Sequence, residues 1–81
     1  MSTYNGVQRE YYHTGQTREE VYISNGVKNG PCKKYWINGE LESICTYING
    51  ELHGEYIKYL DNGKISQYRI YNNGTNILFG I

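Results

Sequence analysis

Eighty-one residues carrying eight basic and eight acidic side chains make one small domain of zero formal charge; two independent cores are excluded, as is the electrostatic footprint of a nucleic-acid or anionic-membrane binder. Ten tyrosines swell a hydrophobic share of 38%, alanine is absent, and Ile, Tyr, Val and Thr are plentiful, which favours strands over helices. No apolar run reaches membrane-spanning length and the stretch MSTYNGVQRE lacks a signal-peptide apolar region, so the chain is expected to be soluble and cytoplasmic.

Glycine sets the period. Gly6, Gly30 and Gly54 are spaced by 24 residues, as are Gly15, Gly39 and Gly63, and Gly26, Gly50 and Gly74. Tyr11, Tyr35 and Tyr59 keep the same phase, followed by Tyr12, Trp36 and Leu60, then Thr17, Leu41 and Ile65. Three gap-free repeats follow, 3–26, 27–50 and 51–74, in a single domain of 1–81, with 75–81 as a remainder.

The first repeat is the most degraded, with Thr14-Gly15 where its successors have Asn-Gly, and a polar TREEV run after it. Its Glu10 and Glu19 are expected to face each other across the hairpin, with Arg9 and Arg18 close by to relieve the repulsion. In the second repeat, strand-like residues 31–37 lead into Asn38-Gly39 and residues 40–48 lead out. Asn-Gly readily enters a type I′ turn, so this connection reads as a two-residue loop. Opposed residues then sum to 77, which sets Trp36 against Leu41 and Cys32 against Cys45. Pro31 reads as the first residue of its strand, where a missing N–H is tolerated. The segment NGELHG turns the chain again, and the third repeat copies the second, with Leu60 expected opposite Ile65 and Tyr56 opposite Arg69. Short turns between successive strands leave one topology: an all-β antiparallel meander of stacked β-hairpins, an elongated, twisted single-layer sheet.

Alternation divides the side chains between two faces. One carries Tyr12, Val21, Ile23, Cys32, Trp36, Leu41, Cys45, Tyr47, Tyr56, Leu60, Ile65 and Tyr71; the other carries Tyr11, Tyr35, Ile37, Ile44, Ile48, Ile57, Tyr59, Tyr68 and Ile70. Neither is cleanly polar, which suits a sheet that curls over one face or receives a partner. The last segment, TNILFGI, puts Ile77, Phe79 and Ile81 on one face and Leu78 on the other, either capping the sheet or presenting an edge for self-association.

No constellation of residues carries chemistry. His13 and His53 fall at different phases of the repeat beside turns, and Cys32 and Cys45 lack a positioned histidine. In a reducing compartment the two cysteines read as small apolar residues filling sheet positions, while a disulfide would need an oxidising setting such as a mature extracellular particle. Each glycine precedes a strand, not a helix N-terminus, so no phosphate cradle forms. A non-enzyme without metal or cofactor is expected. Binding is expected at the aromatic and apolar pairs Tyr11-Tyr12, Tyr35-Trp36 and Tyr59-Leu60, whose tyrosines recur every second strand, roughly 10 Å apart.

The pattern G-x-x-x-x-Y-[YW]-x-N-G-x-L, with a later Y-x-N-G-x-x-x-G, resembles the MORN repeat, and most closely the variant in YwqK-type bacterial antitoxin-like proteins and many giant-virus proteins. Residues 26–74 carry the resemblance best, and within them Tyr47-Ile48-Asn49-Gly50-Glu51-Leu52-His53-Gly54 is similar to the family's tyrosine-to-glycine hairpin segment. The resemblance implies a row of hairpins acting as a protein-binding scaffold, homo-oligomeric through its sheet ends or apolar face. Its YwqK-type branch implies the alternative of a stoichiometric inhibitor of a toxin or host enzyme, and a viral source would place the chain in host cytoplasm or virion. Lipid binding has been attributed to some members, and the zero net charge speaks against it here.

Overall fold

A computed structural model describes residues 4–78. Eight strands follow in chain order: β1 (Gly6–Tyr11), β2 (Thr17–Ser24), β3 (Val27–Tyr35), β4 (Leu41–Ile48), β5 (Glu51–Leu52), β6 (Gly54–Tyr59), β7 (Ile65–Asn72) and β8 (Thr75–Asn76). They form one antiparallel sheet in the order β1-β2-β3-β4-β6-β7-β8, with β5 paired to the end of β4. Overall dimensions of 43 × 34 × 12 Å fix the architecture as a single layer, since two packed sheets stand about 10 Å apart before their outer side chains are added. Among the described residues no helix is long and apolar enough to cross a membrane.

Each glycine series has its own backbone task. At Asn25-Gly26, Asn49-Gly50 and Asn73-Gly74 both residues have positive φ, for example 51° at Asn49 and 88° at Gly50. These are the type I′ turns, and they close two-residue loops such as the one beneath Ile48↔Glu51. The turn at Asn38-Gly39 is of another kind. Only Gly39 has positive φ, the Gly39 N–H donates to the Trp36 carbonyl at 2.9 Å, and the Trp36 N–H donates to the Glu40 carbonyl at 2.7 Å. The loop therefore holds three residues, Ile37, Asn38 and Gly39. Asn38 Oδ1 accepts the Glu40 N–H at 2.9 Å, so its amide is used to brace the loop with Asn38 outside the left-handed region.

That longer loop corrects the expected pairing near the turns. Tyr35, not Trp36, lies opposite Leu41, and Tyr59, not Leu60, opposite Ile65. The register then shifts again: Lys34 pairs with Ser43, leaving Glu42 as an extra residue. The bulge cancels the effect of the third loop residue. Cys32 consequently lies opposite Cys45, Tyr56 opposite Arg69, and Glu10 opposite Glu19, as two-residue loops would have placed them.

A second irregularity recurs between the hairpins. Val21 pairs with Cys32 but Ile23 pairs with Lys28, and Ile44 pairs with Ile57 but Tyr47 with Leu52. Two surplus residues are accommodated each time, at Asn29-Gly30 and His53-Gly54. Gly30 has φ 141°, and a Cβ there would stand 3.1 Å from the Tyr22 Cβ, so the bulge demands glycine on both counts. Pro31 lies inside β3, directly after this bulge, and not at the strand's start as expected; the bulge is what tolerates its missing N–H.

The core is small and one-sided. Val21, Ile23, Cys32 and Cys45 are buried, with Tyr47, Leu52 and Tyr56 packed against them, and all but Leu52 belong to the face that carries Cys32 in the sequence pattern. In a single layer only short side chains at the middle of a face can be fully covered, by longer neighbours leaning across them. Among the described residues Cys32, 1% exposed, is the largest side chain that reaches this state. Leu60 and Ile65, expected on the same face, stay exposed near the three-residue loop.

Candidate interaction surfaces

On the second face one cross-strand row is fixed by the register: Arg9, Glu20, Lys33, Ile44, Ile57 and Tyr68. Its first half is charged, with Arg9 and Glu20 joined at 3.1 Å. Its second half is apolar and continues to Tyr59 at the wall of a depression that Ile44, Thr46, His53 and Ile57 also line. Tyr68 ends the row with its hydroxyl donating to Glu55 Oε2 at 2.5 Å, and that bond to a carboxylate holds the phenol above its ordinary range. A further depression of about 250 Å³ is lined by Val7, Glu20, Tyr22, Pro31 and Lys33. Val7 and Tyr22 are exposed at its rim.

The first face gathers polar groups around its buried cysteines. Glu19 Oε2 accepts from the Cys32 thiol at 3.5 Å and lies 3.6 Å from Lys28 Nζ, which sits 5.0 Å above the Tyr47 ring. Burial pulls the Lys28 ammonium down, but the opposing charges of ionised Tyr47 and Glu19 outweigh it and the net direction is up. Burial also pushes the Tyr47 phenol up, against the pull of Lys28. The interaction of the two opposed thiols draws the Cys45 thiol down, and the same interaction together with burial drives the Cys32 thiol up. At the other end of this face Arg18 takes Glu10 at 2.7 Å, a bond that raises the guanidinium. The facing carboxylates Glu10 and Glu19 are thus each paired with a cation, Arg18 and Lys28.

The six aromatic and apolar residues expected to bind do not share one environment. Tyr11 is 56% exposed on edge strand β1, whereas Tyr35 and Tyr59 are half-buried on the second face. Tyr12 is half-buried beside Arg18, 6.0 Å from its ring, and its hydroxyl donates to the Tyr35 carbonyl at 2.6 Å, tying the first loop to the second. Trp36 is half-buried with Nε1 covered and unpartnered, and Leu60 is exposed. Of the terminal edge, Ile77 donates its N–H to the Ile70 carbonyl at 2.7 Å while its side chain stays exposed, and Leu78 is half-buried. Phe79 and Ile81 lie outside the described residues.

Sequence reasoning missed a set of ties that repeats with the array. Asn5 Oδ1 accepts the Asn25 N–H at 2.8 Å, Asn29 Oδ1 the Asn49 N–H at 3.2 Å, and His53 Nδ1 the Asn73 N–H at 3.4 Å. His53 is therefore a turn brace in the third repeat, occupying the place of an asparagine. The shared 24-residue phase of Asn5, Asn29 and His53 was the available signal.

The family model described as a MORN repeat variant matches three times, at residues 4–25, 28–49 and 52–73. No curated protein and no solved structure matches the chain.

Proposed function

The chain belongs to the MORN repeat variant family, whose repeats commonly serve protein or membrane interactions as non-catalytic modules, and from that premise we propose that it is a protein-interaction scaffold that also associates with copies of itself. The observation that carries this reading is the apolar half of the second face. Ile44, Ile57, Tyr59 and Tyr68 stand together on a layer only 12 Å thick, with no second layer of this chain among the described residues to cover them. Amphipathic tyrosine rings beside branched aliphatics desolvate readily, as at protein interfaces. The flanking charged row, Arg9, Glu20 and Lys33, supplies orientation, because ion pairs at a rim discriminate between partners more than they add affinity.

The test is a solution mass by light scattering over a range of concentrations, with affinity capture from the native host, on the wild type and on Ile57→Lys. The expected result is a higher-mass species or a retained protein partner that Ile57→Lys loses while its circular dichroism stays native. A wild type that is monomeric throughout, and that captures only proteins which Ile57→Lys captures equally, overturns the reading. Stoichiometric inhibition of a toxin rests on the YwqK-type resemblance alone, and the identity of a captured partner decides it.

A further inference from the structure

We propose that Cys32 and Cys45 are a redox pair, closing to an intramolecular disulfide that clamps hairpin β3–β4 when the chain meets a small disulfide oxidant of the glutathione class. The two residues are direct cross-strand partners, and both thiols are free and buried. Opposed residues of an antiparallel pair have Cα atoms about 4.5–5.5 Å apart, inside the window of about 4.4–6.8 Å that a disulfide spans. Their side chains share a face, and both belong to the buried cluster at its centre. Only two cysteines exist in the chain, so one intramolecular connectivity is available.

The surroundings divide the labour between the thiols. Lys34 and Lys28 favour the thiolate at Cys45, while Cys32 keeps its proton and points it at Glu19 Oε2, 3.5 Å away. In the first step the Cys45 thiolate attacks one sulfur of oxidised glutathione, forming a mixed disulfide and releasing one glutathione thiolate. Cys32 then loses its proton towards Glu19 and attacks the Cys45 sulfur, expelling the second glutathione thiolate. The dithiol gives up two electrons and two protons, and both protons end on the glutathione thiolates. With Cys32 1% and Cys45 8% exposed, the first step waits for the cover of Tyr47, Tyr56 and Lys28 to lift. Once formed, the bond fixes the register that the Glu42 bulge restores, in the middle repeat, where the core is centred.

The experiment incubates the folded full chain in mixtures of reduced and oxidised glutathione, quenches with a maleimide in denaturant, and reads intact mass. The expected result is a wild type that loses both alkylatable thiols with no glutathione adduct at the end point, and an oxidised form whose unfolding equilibrium constant is about a hundredfold lower than that of the reduced form. Cys32→Ala, lacking the resolving thiol, should accumulate a glutathione adduct on Cys45. The proposal is overturned if the wild type keeps both thiols in glutathione mixtures that oxidise it in urea. It is equally overturned if oxidation yields a lasting mixed disulfide or a disulfide-linked dimer. Both of these readings need only the wild type, so they stand even if Cys32→Ala does not fold.

Discussion

His53 accepts the backbone N–H of Asn73 through Nδ1 at 3.4 Å, the place that Asn29 fills for Asn49 at 3.2 Å one repeat earlier. A side-chain acceptor aimed at a turn N–H contributes about 1 kcal/mol, and the shorter amide contact is the better one. Asn29→Ala should destabilise the chain by about 1 kcal/mol, whereas His53→Asn should be neutral or stabilising by a few tenths. Urea unfolding followed by tyrosine fluorescence measures both; a destabilising His53→Asn would show that the histidine does something other than brace the turn.

The two kinds of Asn-Gly turn should respond unequally to the same substitution. Asn49 has φ 51°, where glycine is at ease, so Asn49→Gly should change stability by less than about 0.5 kcal/mol. Asn38 is outside that region and its Oδ1 accepts the Glu40 N–H, so Asn38→Gly should cost about 1 kcal/mol. Chemical denaturation of the pair of variants distinguishes them.

Glu42 is the residue by which β4 exceeds β3 between the pairs Tyr35↔Leu41 and Lys34↔Ser43. Deleting it while the three-residue loop holds joins those pairs into one regular ladder, so Cys32 should still face Cys45. Native amide exchange protection in β3 and β4 is expected to survive the deletion. A deletion variant that moves Cys32 out of cross-linking reach of Cys45 would refute the account of the register.

Core and loop positions of the same nominal face should differ sharply. Ile23 is 6% exposed and its truncation to Ala should cost about 2–4 kcal/mol, whereas Leu60, 46% exposed, should give less than about 0.5 kcal/mol on the same change. Thermal melts of Ile23→Ala and Leu60→Ala decide the matter.

Alkali should destabilise the fold, and Tyr47 should account for part of that loss. Burial raises the folded Tyr47 phenol above its ordinary 10.0, so the folded state holds a proton that the unfolded state releases. The corresponding stability is complete below the unfolded value and vanishes as pH rises through the folded one. Lys28, also raised from 10.5, has the same sign. Unfolding midpoints taken from about pH 8 to about pH 11 should fall for the wild type and fall less steeply for Tyr47→Phe.

The period, the strands and the neighbour-to-neighbour topology were legible because glycine positions report backbone demands directly. The cysteine pairing was legible for a reason the sequence did not display: two displacements, at Gly39 and at Glu42, cancel. Trp36 and Leu60 were misplaced because Asn38-Gly39 and Asn49-Gly50 are the same dipeptide, yet Asn49 enters the left-handed region while Asn38 stays outside it and braces its loop through Oδ1. Alternation also overstated the first face, since it ignores height: in one layer a long side chain beside a loop has nothing tall enough to cover it. Ile44, Ile57 and Tyr68 were assigned to one face by alternation, but their alignment in a single row depends on pairing across β4, β6 and β7.

Among the described residues each strand pairs with its near neighbours in the chain, β4 with both β5 and β6, and each kind of irregularity returns after 24 residues. The seam left by removing one unit would therefore match the seam that was there before, whereas removing any other number of residues would land a glycine's task on a side chain unable to perform it. Such a molecule has a natural quantum of length. It can grow or shrink by whole copies while every joint stays familiar, and its reach, more than its interior, is the property that changes.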